Sequence, residues 1–375
     1  MLVVAAVSTA LLVAVWIGYP AVVALLAALW PRRAGAVDAS GPPPTVSVVV
    51  ASADPAADVL ARVRDLLATT YDPARLEVVV ALDAVNGRAT AAELRDVDPR
   101  LRVVTGDQPG GKAATLNAGV RAATGELLVF TDTHQRFEPA AIPALAAALV
   151  ADPRRGAVSG ALALSGGRGA RTPAEWYWLL ERRLRRDEAR LHSVIGVTGA
   201  VYAMRRALWA PLPDGLLLDD LYVPMRLVLA GHRIGFEPAA RAVDRRTFTA
   251  RQEFRRKVRT LTGNVQLCAW LPAVLVPGRN PVWLQFVCHK LLRLLTPYLV
   301  LVAGLALAAW TVLALWTAGG FVMLAAVAAL PLLTLAVPSL RRRVVRQVEW
   351  IVLLPAAALV ATINGVRGRW TVWQR

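Results

Sequence analysis

Two adjacent carboxylates, Asp219 and Asp220, sit in the stretch LLLDDLYVPMR (216–226), just ahead of an amphipathic helical pattern. Side-by-side acids repel each other, so a chain holds such a pair most readily where solvent, a cation or a substrate proton fills the space. Upstream, a lysine follows two glycines in GGKAATLNAG (110–119), and an acid closes the apolar run ELLVFTD (126–132). Glycines let the backbone approach a ligand closely, and an ammonium at a helix N-terminus favours a diphosphate. This is not a Walker loop, because no Ser or Thr follows Lys112. The three segments together predict a site that holds a phosphorylated donor and removes a proton from an acceptor. A helix N-cap is the plain alternative for the acid pair, but one acid suffices for a cap and the second favours catalysis.

The elements that must position these groups are legible between residues 45 and about 250. Short β-branched runs, TVSVVVAS (45–52), LEVVVALD (76–83), LRVVTG (101–106) and ELLVFTD, read as strands, and VYAMRR (201–206) as another. Helical stretches alternate with them, one opening at Asp54–Pro55 and reaching about Thr70, another covering Lys112–Ala122. Strand–helix alternation of this kind predicts an α/β domain with a mostly parallel sheet covered on both faces. Ligands of such sheets bind beyond the carboxyl ends of strands, where Asp54, Asp83 and Asp132 all fall.

Of the 375 residues 56% are hydrophobic, and they concentrate at the two ends, which is too apolar for an ordinary soluble domain. Residues 2–30 carry no charge and are followed by Arg32–Arg33. That pattern predicts an uncleaved anchor over 1–31, with the following domain cytoplasmic by the positive-inside rule. Cleavage near Ala34–Ala36 is the alternative. Residues 251–293 mix basic, apolar and aromatic side chains and read as amphipathic helices at a membrane surface. Transmembrane segments are expected over 294–366: one span at 294–316, a second at 321–338 returning to the basic run Arg341–Arg346, and a further apolar stretch at 348–364. The tail bears Arg367, Arg369 and Arg375, so the last segment is interfacial or the charge rule is broken.

The formal net charge of +17 invites a nucleic-acid reading, but no zinc-finger or RNP pattern accompanies it. Basic tracts bordering apolar segments fit anionic membrane lipid better, and no nucleic-acid partner is expected. The central run ERRLRRDEAR (181–190) reads as a solvated helix face, or more sharply as contact with a phosphate-bearing substrate. Cys268 and Cys288 read as small apolar side chains rather than a disulfide or metal site.

The order strand–Asp83, GGK, strand–Asp132, TGA (198–200), DD, then QEFRR (252–256) ahead of a membrane span resembles membrane-bound family 2 glycosyltransferases over residues 45 to about 300. The stretch NPVWLQFVCHKLLRLL (280–295) and the final TVWQR are similar to that group as well. The resemblance implies a GT-A-like nucleotide-sugar-binding domain flanked by N- and C-terminal transmembrane helices. It implies that Asp54, Asp83, Lys112 and Asp132 bind a nucleotide-sugar, UDP-linked by expectation. Asp132 and His134, the first and third places of the family's D-x-D, would hold a divalent cation, Mn²⁺ or Mg²⁺; an imidazole ligand favours Mn²⁺.

The same resemblance makes Asp220 the general base and Asp219 its acceptor-side neighbour, with Thr198, Gly199, Gln252, Arg255 and Arg256 also on the acceptor side. The expected reaction is inverting sugar transfer at the cytoplasmic membrane face to a lipid-linked or polysaccharide acceptor. Departures from the family pattern are Ala51-Ser52-Ala53-Asp54-Pro55 where it has Pro-Ala-x-Asn-Glu, Ala84–Val85 where it has Gly-Ser, and Lys257 where it has Trp. They leave two rivals: a polyprenyl-phosphate sugar transferase, whose anionic nucleophile hardly needs a base, and a catalytically silent membrane scaffold.

Overall fold

The computed structural model describes residues 1–32, 41–164, 173–246, 249–317, 320 and 355–371. The alternative cleavage site at Ala34–Ala36, the expected span at 321–338, the basic run Arg341–Arg346 and most of the final TVWQR lie outside the described residues. The chain divides into two compact units, one of residues 22–247 with 266–285, the other of residues 1–21, 248–265 and 286–375.

The first of these holds one eight-stranded sheet. Its strands are β1 (Val46–Ser52), β2 (Leu76–Leu82), β3 (Leu101–Thr105), β4 (Leu127–Thr131), β5 (Arg136–Phe137), β6 (Arg155–Leu164), β7 (Tyr202–Arg205) and β8 (Arg233–Asp244). They lie in the order β3-β2-β1-β4-β7-β6-β8-β5. The β-branched strands β1, β2 and β4 are buried almost throughout, as expected of strands covered on both faces. Pairings β1–β2, β1–β4, β2–β3 and β6–β8 are parallel, while β4–β7, β6–β7 and β5–β8 are antiparallel. The sheet is therefore mixed and mostly parallel, as the sequence predicts, with β7 antiparallel to both of its neighbours. The reason lies in the segment before β7. Val194 N–H bonds Ile234 O at the start of β8, and Val197 N–H bonds Asp220 O at the opposite edge. Having crossed the sheet in that direction, the chain can only return antiparallel.

Helices α2 (Ala56–Leu67) and α4 (Ala141–Val150) cover one face, burying Val63, Leu66, Leu145 and Leu149 against Val48, Val78 and Val129. Helix α3 (Gly111–Ala122) packs on β1 and β2 from the other face. Helices α5 (Pro173–Leu191) and α6 (Asp219–Leu229) complete this unit. Its later segment is tied in by the wholly buried Gln266, which accepts from Leu217 N–H at 2.9 Å and donates to Gly215 O at 3.0 Å. Such pairing keeps a buried amide from remaining unsatisfied.

In the other unit, the first part of α1 (Leu2–Leu29) packs on α8 (Thr296–Thr317); Trp16 donates to Thr296 Oγ1 at 2.9 Å and lies under the Arg293 guanidinium at 4.4 Å. α1 and α8 are long and apolar enough to cross a bilayer. Both leave large apolar side chains such as Ile17 and Leu305 exposed. This unit also contains most of α7 (Ala250–Trp270) and the shorter apolar helix α9 (Pro355–Val366), with Tyr298 and Thr362 hydrogen-bonded at 2.9 Å.

Asn117 clamps the backbone of buried Leu212, donating to its carbonyl at 2.9 Å and accepting from its N–H at 2.8 Å. Asn117→Ala leaves both backbone groups without partners. It is expected to lower stability by about 2–3 kcal/mol, read as a reduced midpoint of unfolding.

Candidate active site

The carboxyl edge of the sheet collects the acids. Asp54 follows β1, Asp83 follows β2, Asp132 follows β4 and Asp244 ends β8. Above this edge the turn before α3 uses two left-handed glycines, Gly110 (φ +84°) and Gly111 (φ +87°). Any other residue would be strained in that turn. Asp83 holds it in place: its Oδ2 accepts from Gly111 N–H at 2.7 Å, and its Oδ1 accepts from Val85 and Asn86 N–H at 2.9 and 2.7 Å. Burial works against the charge on Asp83, but these backbone donors outweigh it and keep the carboxyl below its ordinary range.

The turn delivers Lys112 into the first turn of α3. Its Nζ lies 3.2 Å from Asp132 Oδ1 and 3.3 Å from Asp219 Oδ1, so one ammonium joins two acids 87 positions apart in the chain. Asp219 is buried and Asp220 half-buried, and neither caps α6: Leu218 is the N-cap, without a side-chain hydrogen bond. The capping alternative therefore does not account for the pair. Gly199 lies directly against Asp220; a Cβ there would come within 3.2 Å of Asp220 Cβ and 3.3 Å of its Oδ2.

Each residue of the loop after β4 is anchored to a different part of the unit. Asp132 meets Lys112, Thr133 donates to Ser52 Oγ at 2.9 Å, and His134 Nε2 lies 3.4 Å from Asp54 Oδ1. Buried Gln135 donates to Asp244 Oδ2 at 2.9 Å. Among the described residues no group of three or more His, Cys, Asp or Glu side chains is gathered around a metal-sized space. His134 faces Asp54, which also accepts from Arg88 at 3.2 Å.

Thr198 is turned inward. Its hydroxyl donates to Gly160 O at 3.2 Å and receives Arg185 Nη1 at 3.0 Å, and its N–H donates to Ser159 Oγ at 2.9 Å. The ERRLRRDEAR stretch is accordingly not a wholly solvated face: Glu181, Leu184, Asp187 and Glu188 are buried, and Arg185 connects Glu181 to Thr198. Gln252, Arg255 and Arg256 belong to α7, in the other unit. There Gln252 and Thr249 form a reciprocal capping box, and Arg256 pairs with Glu253 at 3.2 Å.

Sequence reasoning missed three residues. Arg62 is fully buried in α2, where it pairs with Asp65, donates to Thr131 Oγ1 at 2.6 Å and stacks over Phe137. Burial and Arg136 pull it down to about 10 against the opposing pull of Asp65 and Asp132. Its signal was present, because Val59, Arg62, Val63 and Leu66 form one helical stripe. Arg246 grips Asp244 with two nitrogens, at 3.1 and 2.8 Å. Burial would raise Asp244, but Arg246 and Gln135 carry it down to about 2. Arg246 is raised in turn, chiefly by Asp244 and further by the charges of Asp132 and Asp54. The third, Tyr202, lies wholly buried at the start of β7.

The parallel strands whose carboxyl edge bears these acids, with the helices that cover both faces of the sheet, form an α/β domain of GT-A-like fold. Residues 47–210 match the family described as Glycosyl transferase family 2; the chain carries that domain and is a glycosyltransferase. Among solved structures, it is similar to the mannosyltransferase PcManGT from Pyrobaculum calidifontis in complex with GDP-Man and Mn²⁺ (23% identity, 98% of this chain and 99% of that one, TM-score 0.67). It also matches TarS of S. aureus in complex with UDP-GlcNAc (18% identity, 60% of this chain and 66% of that one, TM-score 0.42). No curated protein sequence matches it.

Gly199→Ala pushes a methyl group against Asp220. Turnover is expected to fall by about 10- to 100-fold while donor binding holds, since small displacements of a reacting group cost that much. Steady-state kinetics with calorimetry of donor binding checks it.

Proposed function

We propose that this protein transfers a sugar, with inversion, from a nucleoside diphosphate donor to a hydroxyl of a lipid-linked or surface-glycan acceptor at the cytoplasmic face of a membrane. The observation that carries the reading is the Lys112 ammonium shared between Asp132 and Asp219, with Asp220 next in the chain. An ammonium able to bind a diphosphate, with an acid able to accept a proton beside its partner in the chain, supports the reading. Asp220 takes the proton from the acceptor hydroxyl as its oxygen bonds to the anomeric carbon. The bond from that carbon to the diphosphate breaks, and the nucleoside diphosphate leaves with the electron pair. Lys112 and Arg246 offset the charge on the leaving group, and Asp219 orients the acceptor.

A divalent cation fits the chemistry of the site. Two carboxylates, Asp132 and Asp219, share the one Lys112 ammonium and a third, Asp220, follows in the chain, so an incoming diphosphate brings further negative charge to this edge. Asp132 and His134 would hold the ion together with diphosphate oxygens, and it would neutralise charge on the departing nucleotide. The Pyrobaculum enzyme of similar fold binds GDP-Man with Mn²⁺. Both oxygens of Asp83 are engaged by backbone donors, so a GDP-sugar belongs beside UDP-sugars in any donor screen. The two exposed apolar helices support membrane attachment through the N-terminal anchor and α8.

Asp220→Asn is expected to lower turnover by about 10²–10⁴-fold with donor affinity retained. Full activity in that variant would favour a phosphate acceptor that needs no base. Arg246→Gln is expected to bind nucleoside diphosphate about tenfold more weakly while binding of the monophosphate is unchanged, as measured by calorimetry. In the presence of nucleoside diphosphate, Mn²⁺ binding followed by electron paramagnetic resonance is expected in the parent chain and lost in Asp132→Ala.

A further inference from the structure

Tyr202 opens β7 opposite Phe130 of β4, and the two rings stack at a centroid distance of 4.8 Å, with Trp209 on Phe130 at 5.3 Å. Phenylalanine would serve this stack equally well. The Tyr202 hydroxyl is fully buried and has no hydrogen-bond partner among the described residues. An unpaired buried hydroxyl is destabilising, and such groups in native proteins call for a reason. Its setting supplies one. Strand alternation puts Tyr202 on the same face of the sheet as Phe130, one residue short of Thr131 and two short of Asp132. Just before β7, Gly199 touches Asp220 and Ala200 O accepts from Thr131 Oγ1 at 2.8 Å. Burial first, then the charges of Asp219, Asp220 and Asp132, drive the phenol well above its ordinary range, so it remains an O–H donor.

We propose that Tyr202 is a positioning residue for sugar transfer, its hydroxyl donating to the Asp219–Asp220 pair when Lys112 gives up Asp219 for the donor diphosphate. The inference rests on the function proposed above and adds a residue to it. Asp219 is nearly enclosed, and its ion pair in the structure is with Lys112. A diphosphate competes for that ammonium, and a buried carboxylate stripped of its cation is costly. The Tyr202 hydroxyl, near enough to feel the charges of Asp219 and Asp220, is a donor without a partner among the described residues. It keeps its proton throughout and holds the acids in place while Asp220 accepts the proton of the acceptor.

The test is Tyr202→Phe, which preserves the ring stack. Without donor, its thermal midpoint is expected to equal or exceed that of the parent chain, because an unpaired hydroxyl is removed. With saturating donor, kcat is expected to fall by about 10- to 100-fold while KM for the donor stays within twofold, the scale of one hydrogen bond to a charged group. An unchanged kcat, or a loss of kcat that tracks a lowered thermal midpoint, overturns the assignment. If the parent chain turns over no nucleotide-sugar, the transferase reading itself falls and takes this assignment with it; activity in both proteins with equal kcat refutes Tyr202 alone.

Discussion

The site depends on the Lys112 ammonium standing between Asp132 and Asp219. Without it, one acid from the end of β4 and two from the start of α6 would face each other across one edge. Close like charges of that kind either separate or take up protons. The lysine is itself the last link of a chain of constraints. Asp83 grips Gly111, the two left-handed glycines turn the backbone, and α3 begins with Lys112 already directed at the acids. The groups that position Lys112 are backbone donors and a carboxylate, which tolerate little displacement, whereas the lysine side chain is long and mobile. A fixed base with a movable charged tip suits a group that must exchange partners.

Rigidity elsewhere comes from dispersing the anchors of the loop after β4. Its side chains reach α3, β1, the turn after β1 and the end of β8, so no single contact sets its conformation. Behind it, Arg62 bonds Thr131 from within the core, and the pair Asp244–Arg246 closes the far side. A buried arginine behind the strand end is costly to desolvate but is offset here by Asp65, Thr131 and the Phe137 ring. Its cost is tolerable because it steadies the strand end that carries Asp132.

Much of this arrangement was legible in the sequence. The β-branched runs of β1, β2 and β4 fix their own burial, and in a parallel layout the acids after them fall on one edge. GGK announced its turn because only glycine adopts both backbone conformations cheaply. The course of β7 was not legible, since it follows from a crossing made through contacts with Ile234 and Asp220, each more than 20 residues away in the chain. The inner positions of Thr198 and Arg185 were hidden for a related reason: a hydroxyl beside a glycine or an arginine in a charged run looks solvent-facing until a helix from elsewhere packs on it. Arg246 follows another arginine, and its meaning comes from Asp244 and Gln135, brought together by the β5–β8 pairing.

The two adjacent acids differ in their surroundings. Asp219 is the more enclosed and is the one paired with Lys112, while half-buried Asp220 lies against Gly199. In the first turn of α6 both gain from the helix dipole, which lowers the cost of holding two negative charges at adjacent positions. An enclosed acid paired with a cation is poorly suited to receive a proton from an incoming substrate. A more open acid beside a residue without a side chain has the room to do so. The difference follows from helix phase: a turn that buries Asp219 against Lys112 rotates its neighbour toward the glycine gap, and the proposed transfer uses that difference by taking the more open Asp220 as its base.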